Sequence, residues 1–298
     1  MPDQYANQFF SSGPWRRFAP AAIIVILAFI LPLSRLMSFA FHDELYSYIL
    51  LIPFISGYLI WQEKRNLSGV PAVASRLTPL FLLAGLAALV WHYFARPASV
   101  EESLAQTTLA FLLFVAAAAA WTLGGLTLRT LAFPMAFLIF MVPLPAALRS
   151  FIEGVLQQGS AAVAYVLFTV ADTPMINDGL VFRLPGIQLE VAPECSGIHS
   201  TVVLFITSLL AGHYFLKRPW KRAVLCLAVI PLALLRNGFR VFVIGELCVH
   251  VGPQMINSAI HRHGGPLFFL LSLIPFFYLL IFLRKGDQLK DEQKHLTK

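Results

Sequence analysis

The chain has 298 residues, of which 58% are hydrophobic, 12% are charged and 26 are Phe. A soluble domain of this size exposes far more charge, so the composition excludes an ordinary water-borne globule and points to a polytopic membrane protein. The net charge of +7 is then no sign of nucleic acid, because Lys and Arg collect on the cytoplasmic loops of membrane proteins and set their orientation.

Arg16–Arg17 followed by AAIIVILAFILPL has the charged and apolar parts of a signal peptide but no small-residue cleavage site. With more spans behind it, it reads as an uncleaved signal anchor. A bilayer core of about 30 Å takes about 20 helical residues. Spans are expected at 19–37, 46–62, 79–95, 103–123, 127–148, 196–216, 222–249 and 265–284, each bounded by charge, Pro or Gly. Segment 151–171 is also apolar, but it opens with Glu153, Gln157 and Gln158.

Charge resolves that segment. Arg16–Arg17, Lys64–Arg65 with Arg76, Arg129, Lys217–Arg218 with Lys221–Arg222, and Arg284–Lys285 mark the cytoplasmic ends. His42–Asp43–Glu44 and Arg96 with Glu101–Glu102 mark the acidic or mixed ends. The two sides alternate only if 151–171 does not cross. The expected fold is an all-α polytopic membrane protein of about eight transmembrane helices with both termini cytoplasmic. Segment 151–171 is its interfacial or re-entrant helix. Residues 1–18 form a cytoplasmic N-terminus, 19–284 the integral membrane domain and 285–298 a polar cytoplasmic tail. The run MINDGLVFRLPGIQLEV carries an Asn-Asp-Gly turn, a Pro-Gly turn and the alternation IQLEV. It reads as a small extracytoplasmic β-hairpin feeding into Pro193.

With this topology three polar features reach the same outer leaflet. The first is VAPECSGIHS at 191–200, which puts Glu194, Cys195, Ser196 and His199 at the mouth of an apolar run. Of the three cysteines, too few and too dispersed for a disulfide scaffold or a zinc cluster, Cys226 and Cys248 have the character of small core residues. Cys195 follows the helix-breaking Pro193 and lies at a helix start, where the free N–H groups favour the nucleophilic thiolate. The second feature is Arg236 and Arg240, four residues apart on one helix face. If their span ends near His250, Arg240 lies about 15 Å in, at an insertion cost of roughly 2.5–3.5 kcal/mol. A structural salt bridge to Glu194 or Glu246 is the alternative. The third is the loop pair His261 and His263. A thiolate that attacks a carbonyl, an imidazole that shuttles the proton and a fixed cation that stabilises the oxyanion together describe acyl transfer. No metal or other cofactor is implied.

These blocks resemble the exosortase/archaeosortase family of membrane cysteine proteases or transpeptidases. The resemblance covers about 42–284. Its blocks are LYSYILLIPFISGYLIWQEKR at 45–65, FLIFMVPLPAALRSF at 137–151, LEVAPECSGIHS at 189–200, RNGFRV at 236–241 and HRHGGPLFF at 261–269. It implies Cys195 as nucleophile, Arg240 (three residues after Asn237) as the essential Arg, and His261 (four before Gly265) as general acid and base. Glu194, Ser196, His199, Arg236, Asn237, His263, Tyr46 and Ser47 are implied as supporting or substrate-binding residues. Glu194, His199 and the pair Tyr48–Ile49 depart from the family pattern.

The resemblance further implies an inner-membrane protein of bacteria with its site facing the periplasm. The implied partners, besides the lipid bilayer, are secreted or membrane-anchored proteins with a C-terminal sorting tail: a short motif such as Pro-Glu-Pro, a transmembrane helix and a basic cluster. Nucleic acid is not among them. The leading alternative is a polytopic transporter, which would also bury arginines and break helices at Pro but would not depend on a thiol. No His-Glu-x-x-His and no rhomboid-type Gly-x-Ser-x supports another protease class.

Overall fold

The fold is that of a computed structural model, which describes residues 13–63, 75–192, 196–257 and 265–296. Pro193, Glu194, Cys195, His261 and His263 lie outside the described residues. The chain divides into two compact units, 1–148 and 149–298.

The first unit is helical. Helices α1 (Gly13–Ala28) and α2 (Ile30–His42) meet at a bend of 72°. A 3-10 turn at Glu44–Leu50 leads into α3 (Ile52–Glu63), followed by α4 (Thr78–Ala95) and α5 (Val100–Thr122). Helix α5 is the central element. Its alanine run 116–120 lets neighbours approach closely, as small residues do between membrane helices, and its span is 56% buried against 6% for α4. Helix α4 instead turns Trp91, Tyr93 and Phe94 outward, as a lipid-facing helix should. Ser99 caps α5 by accepting from Glu102 N (3.1 Å), while Glu102 Oε2 accepts from Ala98 N (3.1 Å). This variant of the capping box satisfies donors that lipid would leave bare. Helices α6 (Gly124–Thr130) and α7 (Ala132–Phe137), the latter extended by a 3-10 turn at Leu138–Met141, form a second bent pair at 68°.

Helix α8 (Ala146–Val170) leads into the second unit, where a three-stranded antiparallel meander replaces the single expected hairpin: β1 (Ile176–Asp178), β2 (Val181–Leu184) and β3 (Ile187–Glu190). The Pro185–Gly186 turn follows from Pro fixing φ and Gly186 taking φ 80°. Pairing Phe182 with Leu189 points both inward, with Leu184, while Arg183 and Gln188 face out. Helices α9 (Ile198–Phe215), α10 (Pro219–Leu227), α11 (Val229–His250) and α12 (Gly265–Leu296) complete the unit. The last helix continues through most of the polar tail.

Among the described residues seven helices are long and apolar enough to cross a membrane, and as many as nine spans result if each bent pair is counted as one. The all-α polytopic fold is as expected. The break, however, falls at 124–141, inside an expected span, whereas 151–171 belongs to a continuous 25-residue helix. The reason lies in Glu153 and the two glutamines, which suggested an interfacial helix. Glu153 lies 3.9 Å from Arg149 Nε one turn away, and Gln157 is taken up by the chain leaving the sheet.

Candidate functional site

The site is built around the short segment between β3 and α9. Upstream, Val191 is buried, its N–H donates to Leu180 O (2.9 Å), and its carbonyl accepts from Gln157 Nε2 (2.9 Å). Downstream, Ser196 is buried and Gly197 opens α9 with φ 70°. The described residues that flank 193–195 are thus held to neighbouring helices, Val191 to α8 through Gln157 and Gly197 to α11 through Arg236.

Gly197 is the hub of the downstream tether. Its carbonyl accepts the first helical bond from Thr201 N (3.0 Å), and also Ser200 Oγ (3.0 Å), Thr201 Oγ1 (2.8 Å) and Arg236 Nη2 (3.2 Å). A Cβ here would fall 3.0 Å from Arg236 Nη2 and 3.3 Å from Asn237 Oδ1. Glycine is thus needed both for the left-handed backbone and for the approach of α11.

Arg236 is buried, and its Nη2 also donates to Thr201 Oγ1 at 3.2 Å. Its Nη1 is buried with no hydrogen-bond partner among the described residues. Arg240 is half-buried one turn further along the same helix. Asn237 is buried and donates from Nδ2 to Ser160 Oγ at 3.0 Å, which locks α11 to α8. Glycine makes that contact possible, since a Cβ on Gly238 would meet Val163 at 2.6 Å and Ser160 O at 2.9 Å. His199 is half-buried in the first turn of α9.

The salt-bridge alternative for the arginines does not use Glu246. Its carboxylate accepts from Thr173 Oγ1 and pairs with His250 Nε2 at 3.0 Å, tying the end of α11 to the chain that leaves α8.

Helix lengths fix the level of the site. Pro219–His250 is a candidate span of 32 residues, or about 48 Å at 1.5 Å per residue, against a core of about 30 Å. One end is anchored by exposed Tyr214 and Trp220 beside Lys217–Arg222, an interfacial aromatic and basic girdle. Counting roughly 20 residues from Pro219 puts the other boundary near Arg240, not near His250 as expected. Beyond it, Val241, Ile244 and Cys248 pack with Phe168, Phe182, Leu184 and Leu189 of the sheet core. That sheet carries the exposed pair Arg183–Asp178 (2.8 Å) and belongs in water. A count of this kind would put Arg236, Arg240 and Gly197 near the membrane boundary, where the full intramembrane cost of Arg240 would not apply.

Tyr46 and Ser47 belong to the first unit. Tyr46 is buried and its hydroxyl donates to Leu144 O (3.4 Å), so the LYSYILL and MVPLP blocks meet there. Ser47 is exposed and donates to Glu44 O (3.0 Å). Reading the sequence missed Gln157 and Ser160 as site-building residues. Both were visible as polar groups at helical spacing within an apolar stretch.

Among known families, residues 40–278 match the one described as transmembrane exosortase (Exosortase_EpsH). No curated protein and no solved structure matches the chain. The matched region takes in both tethers of the Cys195 segment, the Arg236–Arg240 helix and the Tyr46 turn, and it exceeds half of the sequence; the chain belongs to the transmembrane exosortase family.

Proposed function

We propose that this family member is a membrane cysteine endopeptidase or transpeptidase that removes the C-terminal sorting tail of secreted proteins. Its coarser role, in sorting-signal processing at a membrane, comes with family membership. The observation that supports the finer reading is that the residues flanking the Cys195 position are both held, Val191 by Gln157 and Gly197 by Arg236.

In this reading the Cys195 thiolate attacks the scissile carbonyl carbon near the substrate's motif. The carbonyl π electrons move onto oxygen, and a guanidinium stabilises that oxyanion. Arg240 has this role by family resemblance, while Arg236 holds the backbone that follows the nucleophile. His261 protonates the departing amine, so the C–N bond breaks and a thioester remains. Water or an acceptor amine, deprotonated by His261, then attacks the thioester and returns the thiol. By family resemblance Glu194, Ser196, His199 and His263 are supporting or substrate-binding residues. The site faces the extracytoplasmic side of the inner membrane, where a substrate anchored by its tail helix presents its motif.

The test is co-expression with a secreted protein that ends in a short motif, one span and a basic cluster. The products of wild type and Cys195→Ala are compared by gel mobility and C-terminal mass spectrometry. Loss of the tail only with Cys195 is the expected result. Equal processing by the two forms would sink the assignment.

A further inference from the structure

At the end of α9 remote from the Cys195 segment, a cavity of about 340 Å³ is lined by His213, Tyr214, Phe215, Lys217, Arg222 and Arg284. Helix α9 has 18 residues, so about 27 Å separates this cavity from Gly197, close to the thickness of a bilayer core. The cavity thus lies at the opposite interface, among the Tyr214 and Trp220 girdle.

Among the described residues its charge is one-sided. Three permanent cations and a histidine line it, and no carboxylate does so among the described residues. Two cations that frame it are spent on backbone. Arg222 Nε donates to Leu216 O (2.8 Å), satisfying a carbonyl at the end of α9. Buried Lys221 donates from Nζ to Leu283 O (2.6 Å), bridging α10 to α12. These bonds fix the frame and leave the terminal nitrogens of Arg222 for the cavity. Arg284 is held at the mouth with its Cζ 5.7 Å from the centre of the Phe215 ring.

A topology signal alone requires only that Lys and Arg stand in water on one side. Here they line one half-open hollow together with Tyr214 and Phe215. Basic pockets between helices at this level receive phosphate headgroups. The basic cluster of a sorting tail would be repelled by the same charges. We propose that this cavity binds a phosphate group, carried by an anionic phospholipid or free in solution. The site is independent of the proteolytic reading and is tested without it.

The full-length protein in neutral detergent is titrated with phosphatidylglycerol, with phosphatidylcholine and with inorganic phosphate. Bound lipid is counted by native mass spectrometry and phosphate by equilibrium dialysis. Wild type is expected to prefer phosphatidylglycerol over phosphatidylcholine at least tenfold. The double variant Lys217→Gln/Arg284→Gln should bind about 30-fold more weakly, at about fivefold per removed cation near a lipid surface. The charge-keeping pair Lys217→Arg/Arg284→Lys should bind as wild type does. Binding of the lipid without binding of inorganic phosphate assigns the site to the membrane, and binding of both assigns it to a soluble anion. No preference between the lipids together with no phosphate binding overturns the proposal, as does a Gln pair that binds like wild type. Should the Gln pair fail to insert, Arg284→Gln alone, at an exposed side chain, carries the same comparison.

Discussion

Replacing Gly197 by Ala separates two costs that usually travel together. The first is backbone strain. Gly197 has φ 70°, where an L-residue costs about 1–2 kcal/mol. The second is steric, since the new Cβ would fall 3.0 Å from Arg236 Nη2. The guanidinium must then retreat from Gly197 O, at a cost of about 1.5–3 kcal/mol for a charge-assisted hydrogen bond. Gly186 supplies the control, because it has φ 80° and nothing within 4 Å of its missing Cβ. Gly186→Ala should lose only the strain, about 1–2 kcal/mol, and keep wild-type processing. Gly197→Ala should lose about 2.5–5 kcal/mol in all. Its processing should fall by about two orders of magnitude, the penalty of shifting a reacting group by about 1 Å. Thermal melting of the detergent-solubilised protein reads the first quantity, and the rate of tail removal in membranes reads the second. Equal melting and equal rates for the two variants would refute the hub role of Gly197.

Cys195→Ser and Arg240→Ala should abolish processing while leaving the inserted amount unchanged, as read by substrate mobility and membrane fractionation. Gln157→Ala strips the Val191 carbonyl of its 2.9 Å donor and should cost about 1–3 kcal/mol. Processing should slow without loss of membrane insertion, and an unaltered rate would mean that the upstream tether is idle. Gly245→Ala places a Cβ 2.4 Å from Phe168 Cζ and should lower folded yield, costing about 1–3 kcal/mol by overpacking. A membrane-impermeant thiol reagent should label Val243→Cys and not Leu235→Cys. Protection of both would return the membrane boundary to His250.

The membrane class and the helical architecture were legible because apolar length and charge placement are one-dimensional signals. The hairpin region was legible for the same kind of reason, through Asp178-Gly179 and Pro185-Gly186. Its third strand was not, because β1 is only Ile176–Asp178 and three residues carry no readable alternation. The essential blocks could be quoted from the sequence, but their anchoring could not. Arg236 reaches across 39 positions to Gly197, and Gln157 across 34 to Val191, with no local pattern announcing either bond. Gln157 was seen in the sequence, but its partner was not. A polar residue in an apolar helix reads as a sign of water until its partner is known, and here the partner of Gln157 is backbone.

The span from Lys221–Arg222 to Arg240 acts as a ruler. Its lower mark is fixed by cations bonded to helix carbonyls, and its upper mark by the sheet core on Val241 and Ile244. Helices α9 and α12 are cut to nearly the same measure, at 18 and 21 membrane-fitting residues. Under the proposed function, a protein so gauged would hold its reaction plane at one height above the lipid midplane. A substrate whose own helix is a turn too long would carry its motif about 5.4 Å past that plane. The choice of cleavage point would then be made by helix length as much as by motif, and a thicker bilayer would shift it.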